Sequence, residues 1–238
     1  MNLSDPTRAV TPTLDGPVLA VLAAAGKPLT VGEVARQAAR GSEIGVRRSL
    51  ARLVEQGIVR ATLMGRNQVH ELNRDHIAAP VAEVLAGLRN ELWNRLRDEL
   101  CAWRPSPLYA CVFGSAARGD GDEASDIDLL LVHPPFPGEK KPARLSPSLR
   151  SQLADMLGGA VLGTPELDPA PSWEAHIDRL RERVKAWTGN EVQIVDLSFY
   201  EWRHPTASYL PLLKEIRRDG TALVKARGLS LWPTPMTS

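Results

Sequence analysis

The sequence predicts a mixed chain of the α/β class, more narrowly α+β, in two modules joined by a long helix. Three observations carry that expectation. Residues 14–75 read as short amphipathic helices followed by two strands around a glycine-bearing tip. Val84, Leu85, Leu88, Leu92, Leu96, Leu100 and Trp103 then recur every three or four residues, the period of one continuous helix. Farther on, the apolar runs Leu108–Phe113 and Leu129–Val132 read as buried strands on either side of a polar loop. The second module, residues 105–227, is therefore expected to be a small mixed sheet flanked by helices.

Composition bounds the function without choosing it. The 238 residues are 43% hydrophobic and 24% charged, ordinary for a globular chain. The net charge is +1, so any nucleic-acid surface must be local rather than a whole-protein field. There is no 18-residue apolar run, which argues against a membrane helix and a membrane partner. The opening MNLSDPTRAVTPTLDG lacks a basic stretch followed by an apolar core, so it does not read as a signal peptide. Cys101 and Cys111 have no metal-ligand spacing and read as structural thiols, in keeping with a cytoplasmic location.

In chain order, residues 1–13 are expected to be a loose tail. Pro17–Ala25 is a short helix closed by Gly26. Thr30 with Glu33 forms a capping box, which starts a second helix running to about Arg40. A third begins at Ser42 or Glu43, places Val46, Leu50, Leu53 and Val54 on one face, and ends at Gln56-Gly57. Ile58–Met64 and Gln68–Leu72, around Gly65-Arg66-Asn67, form a hairpin. Three helices and then a hairpin is the order of a winged helix-turn-helix. The stretch GSEIGVRRSLARLVEQGIVR resembles the recognition helix and following strand of bacterial winged-helix regulators. Arg47, Arg48 and Arg52 lie opposite the apolar stripe, and Arg66 sits at the wing tip. Residues 32–66 carry seven arginines against three acids, a local excess suited to phosphate. Solvated helix arginines are the plainer explanation for the first three alone. In this element order they make duplex DNA or another nucleic acid the expected partner.

The connector is expected over residues 81–103, after Pro80 and before Arg104-Pro105-Ser106-Pro107. It would brace the modules or pair with its copy in a homodimer. Residues 133–172 read as a proline-rich insertion with one helix at 149–157, either a flap or a disordered loop. Lys140, Lys141 and Arg144 within it read as solvated charges. A helix over 173–187, a strand over 191–197, a helix over 206–218, a short edge strand over 221–224 and a tail over 228–238 complete the chain.

The chemistry concentrates between Gly114 and Asp128. In a strand, residues two apart share a face, so Asp126 and Asp128 project side by side while Ile127 packs inward. Two close carboxylates raise each other's pKa, and a hard divalent cation such as Mg²⁺ removes that repulsion. A glycine-serine pair after a strand is usually only a turn, and a lone Asp-x-Asp is usually a solvated edge. A strand delivering Gly-Ser, a loop of about ten residues, and two acids at the mouth of a second buried strand form a far more specific combination.

These residues, Gly114-Ser115-x-x-Arg118-Gly119 and Ser125-Asp126-Ile127-Asp128, resemble the signature of the DNA polymerase beta nucleotidyltransferase superfamily, and within it the minimal nucleotidyltransferases. The likeness covers roughly residues 105–225. It implies that Gly114, Ser115 and Ser125 hold a nucleoside triphosphate and that Arg118 neutralises its outer phosphates. It also implies that Asp126 and Asp128 bind two Mg²⁺ ions, with a third carboxylate supplied by the later strand. Many members carry that acid where this chain has Gln193. Asp196 is the candidate here for third metal ligand and base, although a regular strand turns it to the face opposite Gln193; Glu191 is a further candidate. The implied activity is Mg²⁺-dependent transfer of a nucleoside monophosphate to a hydroxyl of RNA, protein or a small molecule. The rival expectations are a DNA-binding regulator with a nucleotide-sensing or silent second domain, and one half of a toxin–antitoxin pair.

Overall fold

A computed structural model describes residues 1–136, 139 and 170–226. The expected helix at 149–157, Lys140, Lys141, Arg144 and the tail at 228–238 lie outside the described residues. The chain divides into two compact units, one of residues 1–92 with 121–124 and one of residues 93–120 with 125–238.

The first unit holds α1 (Asp15–Ala24), β1 (Leu29–Thr30), α2 (Val31–Gln37), α3 (Glu43–Glu55), β2 (Val59–Met64) and β3 (Asn67–Leu72). Its sheet has the order β1-β3-β2 and is antiparallel throughout. The helix starts follow local chemistry. Thr30 and Glu33 close a reciprocal capping box on α2, and the Ser42 side chain caps α3 by accepting from the Gly45 N–H. Gly65 at the hairpin tip has φ +63°, a conformation that side-chain-bearing residues rarely adopt. Val18, Leu22, Val34, Val46, Leu50 and Val59 form the core between the helices and the sheet.

Two expectations for this unit are corrected. Strand β1 was missed, because two residues are too few for any periodicity to register. The N-terminal segment is not a loose tail: Pro6–Ala9 forms a 3-10 turn, and Leu3 is fully buried. Arg40 ties the segment down. Its Nε donates to Asp5 Oδ2 at 2.5 Å, and its Nη atoms reach the carbonyls of Thr11, Pro12 and Thr13.

Helix α4 (Ala79–Ala102) follows, and the division between the units falls within it, after Leu92. The second unit continues with β4 (Tyr109–Phe113), α5 (Gly114–Arg118), β5 (Ile127–His133), α6 (Ala170–Thr188), β6 (Val192–Ser198), α7 (Phe199–Arg203), α8 (Leu210–Asp219) and β7 (Thr221–Lys225). Its four strands run in the order β6-β5-β4-β7. The sheet is mixed: β5 pairs with β6 in parallel, while β4 is antiparallel to both β5 and β7. One face packs Tyr109, Cys111, Leu130, Val132 and Leu197 against Phe199, Trp202, Leu213 and Ile216. Where the polar loop was expected directly after Gly114-Ser115, the chain first makes the short helix α5, and the loop runs from Gly119 to Asp126. The helix expected over 206–218 is α8, which starts at Leu210. The short α7 before it was not expected; Ser198 and Glu201 form a capping box that starts it.

Candidate functional site

The site is assembled where β4 ends and β5 begins. Phe113 pairs with Asp128 across the antiparallel ladder, so Gly114, one step on, lies against the Asp128 carboxylate. Gly114 has φ +67°, and a Cβ there would fall 2.2 Å from Asp128 Oδ2. Both constraints select glycine: the backbone turns in the left-handed region, and the carboxylate occupies the space of a side chain. The turn starts α5, which carries Ser115 and places Arg118 on its last turn.

Asp126 and Asp128 are half-buried. The Asp128 carboxyl is raised above the usual range of 3.8 by desolvation, by the neighbouring Asp126 charge and by Glu215, with Arg118 opposing. Asp126 accepts a hydrogen bond at 3.2 Å from Gln193 Nε2. Gln193 is the β6 residue registered beside Asp128, on the same sheet face. The entry to β5 is further pinned by Asn190, whose Nδ2 donates to the Ser125 carbonyl at 2.9 Å, and by the Ile127 N–H on the Glu191 carbonyl at 2.9 Å.

Arg118 is held among acids. Its Nε donates to Asp120 at 3.1 Å and its Nη1 to Glu215 at 3.2 Å, with Asp219 at 3.6 Å. Glu215 on α8 is thus a member of this cluster, and its charge is felt at Asp128. Sequence reasoning missed it: Glu215 lies 87 positions past Asp128 on an amphipathic helix whose polar face looks like any solvated one. No local signal could have found it.

Asp196 lies on the opposite face of the sheet from Asp128 and Gln193. Strand β6 is regular, with Asp196 registered on Leu131, three residues along from the Asp128–Gln193 pair. An odd step turns a side chain to the other face of a sheet. There Asp196 Oδ2 accepts from Trp173 Nε1 at 2.8 Å, on the side that also holds His133. Desolvation raises its carboxyl, with His133 and the Trp173 bond opposing. Glu191, the other candidate, forms an ion pair with Lys185. Among the described residues no group of three or more His, Cys, Asp or Glu side chains is arranged to hold a metal ion. The pair Asp126 and Asp128 still suits a hard divalent cation, since such ions complete their shell with water and phosphate oxygens.

Residues 94–192 match the family model of the nucleotidyltransferase domain. The match supports a nucleotidyl-transfer activity, with a nucleoside triphosphate and a divalent metal, at the level of that family. It spans Gly114, Ser115, Arg118, Ser125, Asp126 and Asp128, and it ends one residue before Gln193. No curated protein matches the chain. No described helix is long and apolar enough to cross a membrane.

In the first unit the four arginines singled out from sequence are not equivalent. Arg52 Nη2 is 2.5 Å from Asp15 Oδ2, and Arg47 pairs with Glu43 at 3.2 Å one turn away. Burial pushes the Asp15 carboxyl up, but bonds from Arg52, Ser49 and Thr13 hold it below the usual range. Arg48 and Arg66 are exposed, and among the described residues neither has an ion-pair partner.

Proposed function

We propose that the nucleotidyltransferase domain transfers a nucleoside monophosphate from a nucleoside triphosphate to an acceptor hydroxyl, with Mg²⁺ held by Asp126 and Asp128. The observation that carries this reading is the Asp126–Asp128 pair beside a glycine that leaves room for nothing but the carboxylate. Bound Mg²⁺ would supply charge neutralisation at the phosphates and at the oxygens that attack and leave. The chain's own residues do the rest. Gly114 lets the backbone approach phosphate closely, and Ser115 and Ser125 line that approach with hydrogen-bonding groups. Arg118 can exchange Glu215 for a terminal phosphate, since a guanidinium binds both in the same forked geometry. Asp196 takes no part. The acceptor is RNA, a protein or a small molecule bearing a free hydroxyl.

A second reading is favoured by Gln193. It stands beside Asp128 on the site's face, where a third acid would stand, and donates to Asp126 instead. A domain built so would bind the triphosphate without transferring it, and would report nucleotide to the rest of the chain. The first unit suits such a regulator. We assign it a winged-helix role in binding duplex DNA through α3 and the hairpin tip, with Arg48 and Arg66 free to contact phosphate.

One experiment separates the readings. The full chain is incubated with each labelled triphosphate, Mg²⁺ and a cell extract, and Asp126→Ala/Asp128→Ala serves as control. Label transferred to an acceptor by the wild type alone supports the transferase. Mg²⁺-dependent binding with no transfer, and transfer appearing in Gln193→Asp, supports the sensor. Undiminished binding by the double variant refutes both.

A further inference from the structure

The first unit contains a cavity of about 440 Å³ that neither reading uses. It lies between the N-terminal segment, α1 and the first turns of α4. Pro17, Ala20, Val21, Leu85 and Ala86 give it an apolar wall, and Arg89 gives it a charge. The volume falls within the range of small-molecule sites, and Ser4, Thr7, Gln37 and Asn90 add polar groups to the lining.

Arg89 is the unusual member. One Nη2 hydrogen is spent on the Leu3 carbonyl, with the Ser4 carbonyl at 3.4 Å. Its Nε is enclosed and has no hydrogen-bond partner among the described residues. An enclosed donor offers a ligand no approach, so an acceptor in the cavity would meet the terminal Nη groups of Arg89. No acid in the lining already neutralises this guanidinium. Asp5 is present, but its Oδ2 accepts from Arg40 and its Oδ1 from Thr7, both at 2.5 Å. The Asp5–Arg40 pair cancels, and the cavity keeps one positive charge.

We propose that this cavity binds a small organic monoanion with an apolar body, its carboxylate seated on the Arg89 guanidinium and its body against Val21, Leu85 and Ala86. A charge-assisted bond to guanidinium selects the anion, and the wall selects a ring or short alkyl chain over a hydrophilic acid.

The test uses the full chain and isothermal titration with benzoate, 2-naphthoate and hexanoate, and with the neutral 2-naphthamide. At least one carboxylate should bind one site per chain with Kd below about 1 mM. The amide and Arg89→Gln should each weaken binding by about tenfold or more. Ala86→Trp fills the cavity and keeps the Arg89 charge, so it should abolish binding even if Arg89→Gln unfolds the N-terminal segment. The proposal is overturned if none of the three acids binds, if the amide equals the acid, or if binding survives Ala86→Trp in a chain with wild-type circular dichroism.

Discussion

Gly114→Ala is the sharpest probe of the site, because two independent features of the structure set its cost. The first is backbone: Gly114 has φ +67°, and an alanine held there is strained by about 1–2 kcal/mol. For a chain of this size that corresponds to a fall in Tm of roughly 2–8 °C. The second is space. The new Cβ would lie 2.2 Å from Asp128 Oδ2 and 3.1 Å from its Cγ, against ordinary contacts of 3.4 Å or more. Asp128 must therefore move by more than about 1 Å, and Mg²⁺ ligation at about 2.1 Å does not tolerate that. Misplacement on this scale costs on the order of 100-fold in a positioned reaction. Mg²⁺-dependent binding of a fluorescent triphosphate reads the effect whether or not the domain transfers. We expect an affinity loss approaching that of Asp128→Ala, with the fold retained by circular dichroism. The double variant Gly114→Ala/Asp128→Ala should lose little more affinity than either single change, because both disable the same ligand. Wild-type affinity in Gly114→Ala, or fully additive losses, would refute the arrangement.

Asp128 also makes a pH prediction. Its folded-state pKa is raised above 3.8, so its contribution to stability is full at low pH and is lost as pH rises through the raised value. Asp128→Asn should then raise Tm at neutral pH and leave it nearly unchanged near pH 3, and a difference independent of pH would contradict the burial and charge assigned to it. Glu215→Gln should remove one of the three acids that hold Arg118 and tighten triphosphate binding severalfold, while this exposed contact changes stability by no more than about 1 kcal/mol; weaker binding in a titration would show that Glu215 assists the nucleotide instead. Arg48→Ala and Arg66→Ala should each lower the slope of log affinity for duplex DNA against log salt by about 1. Arg52→Ala should instead lower the Tm at neutral pH through loss of its bond to Asp15, and an unchanged Tm would remove it from that role.

Local chemistry wrote much of this protein legibly into the chain. The capping box of Thr30 and Glu33, the heptad-like leucines of α4 and the alternation around Ile127 act over a few residues, so a linear reading recovers them. The pairing of Asp126 with Asp128 was legible for the same reason: a strand's period of two is a local rule. The same rule placed Asp196 on the face away from Gln193, and the regular register of β6 leaves no bulge to bring it back. What the linear reading could not reach depended on residues far apart in the chain. Leu3 is buried because Arg40, 35 residues beyond Asp5, anchors the segment, and no composition rule marks that. Glu215 meets Arg118 across 97 residues because α8 packs beside α5, a consequence of where the sheet sends the chain. Which arginines remain free was likewise decided by tertiary neighbours, since Asp15 on α1 claims Arg52 on α3 and leaves Arg48 alone. Short-range periodicity determines elements and faces; which charges meet is a property of the packed chain.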